Sequence, residues 1–359
     1  MLKKSLVVFL CLALLLGTLA GCSGQEKPAP SGDGPKKDPY HITFTAGRPG
    51  DTWYVLSHAL STFINERSDW VTADVQTTAG VTDNTRAIMG DEKLFGTTVN
   101  VTMLPGATVW GEGKYMPLQI GMLCMLNETF VTLNPNIKTI ADMSGKTISV
   151  PRDVPDGYSW IFRNMLDLGG AKNYKLLHGG TGDRLSALQD GAAEVGVLPF
   201  DFYYPNTYAQ SSQLMEFSAR GTLYYPNQGN IAQNIDIITQ ACITDPFVGE
   251  GALPPLGMVA PPKAMGETQT DEMAFVSTPV YWSAGKEMPE DVVYEITRIL
   301  YETAEKGEFE PFHSMGKGIT PEFLTMSFWD DPAEREAMFH PGALKFYKEK
   351  GLELKTFLE

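Results

Sequence analysis

The chain has 359 residues, 43% of them hydrophobic, 20% charged and 11% aromatic, with a formal net charge of −15. Such a chain holds about two domain-sized units and buries a sizeable core. The acidic balance and the absence of basic patches argue against nucleic-acid partners and against adhesion to anionic lipid through surface charge.

The N-terminus speaks about membranes in another way. Lys3 and Lys4 precede an apolar run, Leu6 to Leu16, that is too short to span a bilayer. The run ends in Leu19-Ala20-Gly21-Cys22, in the order of a bacterial lipoprotein signal. Residues 1–21 are therefore expected to be a signal peptide, with Cys22 lipidated as the first mature residue. Residues 22–39, rich in Gly, Pro, Ser and charge, read as a flexible tether. The expected location is extracytoplasmic, anchored to a membrane by lipid. Cys11 leaves with the signal, so Cys124 and Cys242 remain, either as a disulfide or as two buried thiols.

The folded body opens with His41 to Thr45, which alternates apolar and polar residues as a half-buried strand does. Ala46-Gly47-Arg48-Pro49-Gly50 breaks that pattern. From Asp51 the apolar positions Val55, Leu56, Ala59, Leu60, Phe63 and Ile64 form one helical stripe. Asp51 is the expected N-cap, its carboxylate accepting amides of the first turn. A strand–loop–helix of this kind turns free backbone N–H groups and a positive helix end toward one spot, where an anion fits. Arg48 can add a bidentate contact to a carboxylate. Thr52, Trp53 and Tyr54 follow, and the two aromatics offer walls for a ligand or, alternatively, core packing.

Val71–Val75 reads as a second strand, Thr78-Ala79-Gly80 as a turn, the stretch from Thr82 as a helix and Phe95–Asn100 as a third strand. That succession implies βαβ units and a largely parallel sheet, whose ligands bind at the strands' carboxyl ends. Gly47–Tyr54, Thr78–Asn84 and Asn100 all fall at that edge. A second series follows: a short helix and turn over Ile137–Lys146, a strand Thr147–Val150, a loop 152–157, a helix Tyr158–Leu168 capped by Gly169, a short strand at Leu176-Leu177, a helix Asp183–Asp190 and a strand Val195–Leu198. Gly179-Gly180-Thr181-Gly182 resembles a phosphate cradle but lacks the Gly-Lys-Ser/Thr ending, and it reads as a turn. Residues 205–262 show little periodicity. Met273–Trp282 reads as a strand crossing back to the first half, Pro289–Ala304 as an amphipathic helix, and His340 to Gly351 as a final helix. The five histidines have no metal-ligand spacing, and no Gly-x-Ser-x-Gly elbow occurs. No enzyme, cofactor or metal site is expected, with ligand-associated calcium left open.

Four segments together resemble the TAXI family of solute receptors for tripartite (TRAP) transporters. Ile42-Thr-Phe-Thr-Ala-Gly-Arg-Pro-Gly-Asp-Thr-Trp-Tyr54 is similar to the family's glycine-rich strand–loop–helix, and Thr78-Ala-Gly-Val-Thr-Asp-Asn84 to its Thr-Gly-Gly-Ser-x-Glu-Asn. Ile137–Val150 resembles the start of its second lobe, and Met288–Thr297 with His340–Tyr347 its C-terminal signature. The resemblance covers residues 40–352. It implies an α/β, two-lobed type II periplasmic-binding-protein fold with a hinge and an interlobe cleft: residues 40–130 in lobe 1, 131–270 in lobe 2, and 271–359 returning to lobe 1. It implies capture of a small anionic solute, glutamate- or 2-oxoglutarate-like, and delivery to TRAP permease subunits. The binding positions it implies are Gly47, Trp53, Tyr54, Thr78, Gly80, Asn84 and Asn100 from lobe 1, with Asp156, Gly157 and Tyr158 and the segment after Leu198 from lobe 2. Asp201 and Tyr203 belong to that segment. Departures are Arg48, Pro49 and Asp51 in the glycine loop, Asp153-Val-Pro-Asp-Gly157, and Phe200-Asp-Phe-Tyr-Tyr204. Acids and aromatics there would shrink the site or favour an amine as well as a carboxylate. A receptor for an ABC importer, or a tethered sensor on the same fold, is the alternative.

Overall fold

The computed structural model describes residues 37–91, 93–99, 117–153, 158–219, 221–233, 236–237 and 256–357. Everything below lies in the unit Pro39–Glu359. The first series is β1 (Tyr40–Thr45), α1 (Thr52–Arg67), β2 (Val71–Gln76), α2 (Val81–Gly90) and β3 (Leu94–Val99). β4 (Leu118–Thr132) leads to the second: β5 (Thr147–Val150), α3 (Ser159–Leu168), β6 (Lys175–His178), α4 (Thr181–Gln189) and β7 (Val195–Tyr203). β8 (Thr207–Gln210), α5 (Ser212–Ser218), β9 (Leu256–Ala260), β10 (Met273–Ala284), α6 (Glu290–Glu305) and α7 (Pro341–Glu349) complete the main elements.

The strands form one sheet in the order β2-β1-β3-β10-β4-β7-β5-β6, with β8 beside β7 and β9 beside β10. β1 pairs in parallel with β2 and β3, as does β5 with β6 and β7, so each series builds a parallel trio. Two long strands join the trios. β10 pairs antiparallel with β3 through Val280–Ala284 and with β9 through Met273–Ser277, while β4 pairs antiparallel with both β10 and β7. The first trio thus gains an antiparallel strand from late in the chain, β10, and the second gains β4, the strand that precedes it. The result is a mixed α/β topology, two parallel trios joined by antiparallel strands.

The length of β4 and β10 follows from their sequence. Leu118-Gln-Ile-Gly-Met-Leu-Cys-Met-Leu-Asn-Glu-Thr-Phe-Val-Thr132 is buried throughout after Leu118, and β10 is buried at every residue. Strands covered on both faces read as continuous apolar runs without alternation, and β4 accordingly fills a stretch to which the sequence pattern assigns no element. Its one run of consecutive polar residues, Asn127-Glu128-Thr129, falls where the strand passes the cleft.

Close packing fixes the first trio. Phe44 meets Phe95 edge-on at 4.6 Å, and a Cβ on Gly96 would stand 2.0 Å from Thr45 Oγ1. Glycine at 96 lets β1 and β3 pair beside that hydroxyl. Helix α6 covers the same half with Val292, Val293, Ile296, Ile299 and Leu300. β7 runs on to Tyr203, beyond the Leu198 that periodicity suggests, because both its faces are buried and β8 pairs with its end. Gly169 occupies the C-cap of α3 with ordinary right-handed angles, and the left-handed turn falls one residue later, at Gly170. Cys124 is a buried free thiol, and Cys242 lies outside the described residues.

Candidate functional site

Three strand-to-helix loops converge: Gly47–Asp51 before α1, Thr78–Gly80 before α2, and Gly179–Gly180 before α4. They surround a cleft of about 250 Å³. Arg48, Asp51, Trp53 and Gly80 line it from the first series, Arg152, Tyr158, Thr181 and Arg184 from the second, and Leu126 and Glu128 from β4. A smaller cavity of about 40 Å³ continues it, lined by Thr52, Pro199, Asp201, Ser211, Gln213 and His313. Asp51, Trp53, Leu126 and Thr181 line both.

The loops do not hold their amides open. Asp51 stands at the N-cap of α1, but its side chain makes no capping bond to the helix and instead accepts the backbone N–H of Arg48 at 3.1 Å. Asp83 accepts the N–H of Ala79 at 3.2 Å, and Asp183 that of Gly180 at 3.0 Å. In each loop a carboxylate of the chain occupies the position an anion would take. Burial raises the Asp51 pKa above the usual carboxylate range, only partly offset by the Arg48 amide and guanidinium, and the Asp183 charge adds to the rise.

A buried ion pair forms the floor. Arg184 Nη2 lies 2.7 Å from Glu128 Oε1, with the side chains 3% and 1% exposed. The same Nη2 donates to Thr181 Oγ1 at 3.1 Å, and Nη1 donates to the Val197 carbonyl. Among the described residues, Glu128 Oε2 and Arg184 Nε have no hydrogen-bond partner. The buried Tyr158 hydroxyl lies toward Glu128, and burial first, then that carboxylate, pushes its pKa well above 10. In the smaller cavity Asp201 Oδ2 accepts Ser314 Oγ at 2.7 Å and the Tyr203 hydroxyl at 3.2 Å, while Oδ1 has no partner. Burial raises the Asp201 pKa against those two bonds. His313 Nδ1 accepts the Met315 N–H at 3.1 Å, which places the imidazole proton on Nε2, 3.3 Å from Thr52 Oγ1. Across the mouth, Arg152 Nη1 reaches the Ala79 carbonyl at 3.4 Å.

The residues named from sequence sort into four groups. Arg48, Trp53, Gly80 and Tyr158 line the larger cavity, and Thr52, Trp53 and Asp201 the smaller. Gly47, Thr78 and Asn84 lie behind the loop as a polar brace: Thr78 Oγ1 accepts the Gly47 N–H at 2.9 Å and donates to Asn84 Oδ1 at 2.5 Å, and Asn84 Nδ2 reaches Thr97 Oγ1 at 2.8 Å. Tyr54 stacks edge-on against His58 at 4.5 Å, and Tyr203 lines neither cavity but orients Asp201. Cys22, Asn100, Asp156 and Gly157 lie outside the described residues. Sequence reasoning did not single out Glu128, Arg184, Arg152 or His313. The one available signal for the first was a polar stretch inside a long apolar run. The Gly179–Gly182 turn is no phosphate cradle of the P-loop kind, yet it forms one wall of the cleft.

The sequence matches the NMT1-like family over residues 44–204 and 252–351, most of the folded body. The chain belongs to the NMT1-like family. Solved structures similar to this NMT1-like chain include a periplasmic sulfonate-binding protein from Methylobacillus flagellatus, at 12% identity over 89% of each chain with a TM-score of 0.44. A second is an L-cystine ABC transporter protein from Listeria monocytogenes, at 11% identity over 79% of this chain and 96% of that one, TM-score 0.43. A third is a TRAP periplasmic solute-binding protein from Desulfovibrio salexigens in complex with diglycerolphosphate, at 12% identity over 89% of this chain and 86% of that one, TM-score 0.39.

Proposed function

We propose that this protein is an extracytoplasmic solute receptor that closes on one small carboxylate or amino-acid-like solute and presents it to a membrane permease. The observation that carries this reading is the cleft itself. Loops from both parallel trios meet over β4, and Arg48, Trp53, Tyr158 and the Glu128–Arg184 pair face one concave space. Small-solute sites are concave, with aromatic walls and a few convergent polar groups. No nucleophile–base arrangement stands among these residues, and the reading involves no covalent step. Closure is driven only by contacts the solute makes better in the closed form. The permease in this proposal is of the TRAP type, on the strength of the motif order in the sequence, with an ABC importer as the second reading. A lipid on Cys22 would hold the receptor at the membrane.

The test is calorimetric titration of the purified chain with small acids, amino acids and amines, beside Trp53→Ala. Saturable binding of one solute class that Trp53→Ala weakens tenfold or more supports the receptor. A folded chain that binds nothing, or whose binding ignores Trp53, counts against it.

A further inference from the structure

The two adjoining cavities each hold a carboxylate that the described residues leave half-satisfied. Glu128, 1% exposed, gives Oε1 to Arg184; among the described residues Oε2 has no hydrogen-bond partner, with the Tyr158 hydroxyl lying toward the same carboxylate. Asp201, 0% exposed, gives Oδ2 to Ser314 and Tyr203 and has no partner for Oδ1. A buried acceptor left unmade costs about 1–3 kcal/mol, and more when charged. Two such oxygens, one in each of the adjoining cavities, are where a donor carried by a solute gains most.

Their placement is set by strand register. β4 and β7 pair Glu128 with Pro199, so Asp201, two residues on, is the diagonal neighbour of Glu128 on the same face. Diagonal neighbours across an antiparallel pair stand about 7–8 Å apart. Trp53 lines both cavities, and the face of an indole attracts a cation. The groups that would hold an anion are partly taken: Asp51, Asp83 and Asp183 fill the loop amides, and Arg184 is committed to Glu128. For a negative end, Arg48 and Arg152 remain at the mouth.

We propose that the solute carries a cationic nitrogen, an ammonium or guanidinium, seated between Glu128 Oε2 and Asp201 Oδ1 beside Trp53. The proposal rests on the receptor reading and narrows it: an acid without an amine is the wrong ligand. The nitrogen supplies the missing donors, and Tyr203 and Ser314 hold Asp201 in position to accept one.

The experiment compares solutes of equal length and different charge. Succinate, 4-aminobutyrate and butane-1,4-diamine, with their homologues from two to six carbons and neutral polyols of the same size, are titrated calorimetrically into the chain. At least one amine-bearing member is expected to bind tenfold or more tighter than the diacid of its length. Asp201→Asn and Glu128→Gln are each expected to reduce that preference tenfold, Glu128→Gln also by raising diacid affinity, because it frees the Arg184 guanidinium for an anion; a merely structural role would lower affinity for amine and diacid together. Asp201→Asn does not touch the Arg184 pair, so it keeps the test open if Glu128→Gln misfolds. Diacid binding alone, or an amine preference that survives Asp201→Asn, overturns the cationic subsite and leaves the receptor standing. Silence to every solute, from a chain shown to be folded by circular dichroism, overturns both.

Discussion

Arg184 on α4 meets Glu128 on β4 at 2.7 Å, and this pair ties the loop before α4 to the strand that joins the two parallel trios. Charges buried this deeply are costly to desolvate, and losing one partner is worse than losing both. Arg184→Met is expected to destabilise the chain by about 3–5 kcal/mol. The double variant Glu128→Met, Arg184→Met is expected to be more stable than the single. Urea unfolding midpoints check the order.

Asp201 should show a trade-off between stability and binding. Its folded pKa is raised by burial, so the protonated form favours folding. That contribution is complete below the ordinary carboxylate pKa and is lost as pH rises through the folded value. At pH 7 Asp201→Asn should therefore melt above the parent, with the gap closing near pH 3, even as it loses affinity for amine-bearing solutes. Melting curves at the two pH values decide.

His340 carries an acid sensitivity of the opposite sign. It is fully buried, caps α7 by accepting the Gly342 N–H on Nδ1 at 3.2 Å, and burial lowers its pKa from 6.5 to about 4. Between those values the unfolded chain binds the extra proton, so stability is full above pH 6.5 and falls toward pH 4. The loss amounts to about 3 kcal/mol at most. His340→Asn keeps a capping side chain and should flatten this part of the pH profile, read as the change in urea midpoint between pH 7 and pH 4.5.

The contact between α6 and α7 depends on a missing side chain. A Cβ at Gly342 would lie 2.2 Å from the Glu290 carbonyl and 2.9 Å from the Tyr294 amide, both backbone atoms. Gly342→Ala should force the helices apart and cost about 1–3 kcal/mol, while solute affinity, set in the cleft, stays within twofold. Chemical denaturation with parallel titration calorimetry separates the two effects.

Trp53 and Tyr54 are adjacent in sequence and point to different surroundings. Trp53 lines both cavities, and Tyr54 stacks on His58. Trp53→Ala should weaken binding of any solute tenfold or more, and Tyr54→Ala should leave the dissociation constant within twofold. Titration of both variants with the same solute is the check.

Much of this protein was legible in its residues. The strand and helix of Tyr40–Arg67, the βαβ succession, the amphipathic α6 and the final helix all follow from local periodicity, because each buries one face and exposes the other. Two of the loops that edge the cleft, at Gly47–Asp51 and Thr78–Gly80, were legible too, as glycine-bearing breaks at the carboxyl ends of parallel strands, whereas Gly179–Gly180 read only as a turn. β4 was not, since a strand buried on both faces carries no alternation. With β4 hidden, Glu128 was hidden, and so was its partner on α4.

What the sequence determined by itself was therefore the α/β character and two of the loops that gather. The antiparallel pairings of β4 and β10 that make the sheet mixed came from the tertiary structure. Only the tertiary structure decided what those loops present. Aspartates turn back onto their own amides, Thr78 and Asn84 become a brace behind the wall, and register across β4 and β7 sets two half-satisfied carboxylates on one face. The physical reason is range. Periodicity and turn chemistry act over a few neighbouring residues, whereas the partner of Glu128 lies 56 residues away and that of Asp201, Ser314, lies 113 away.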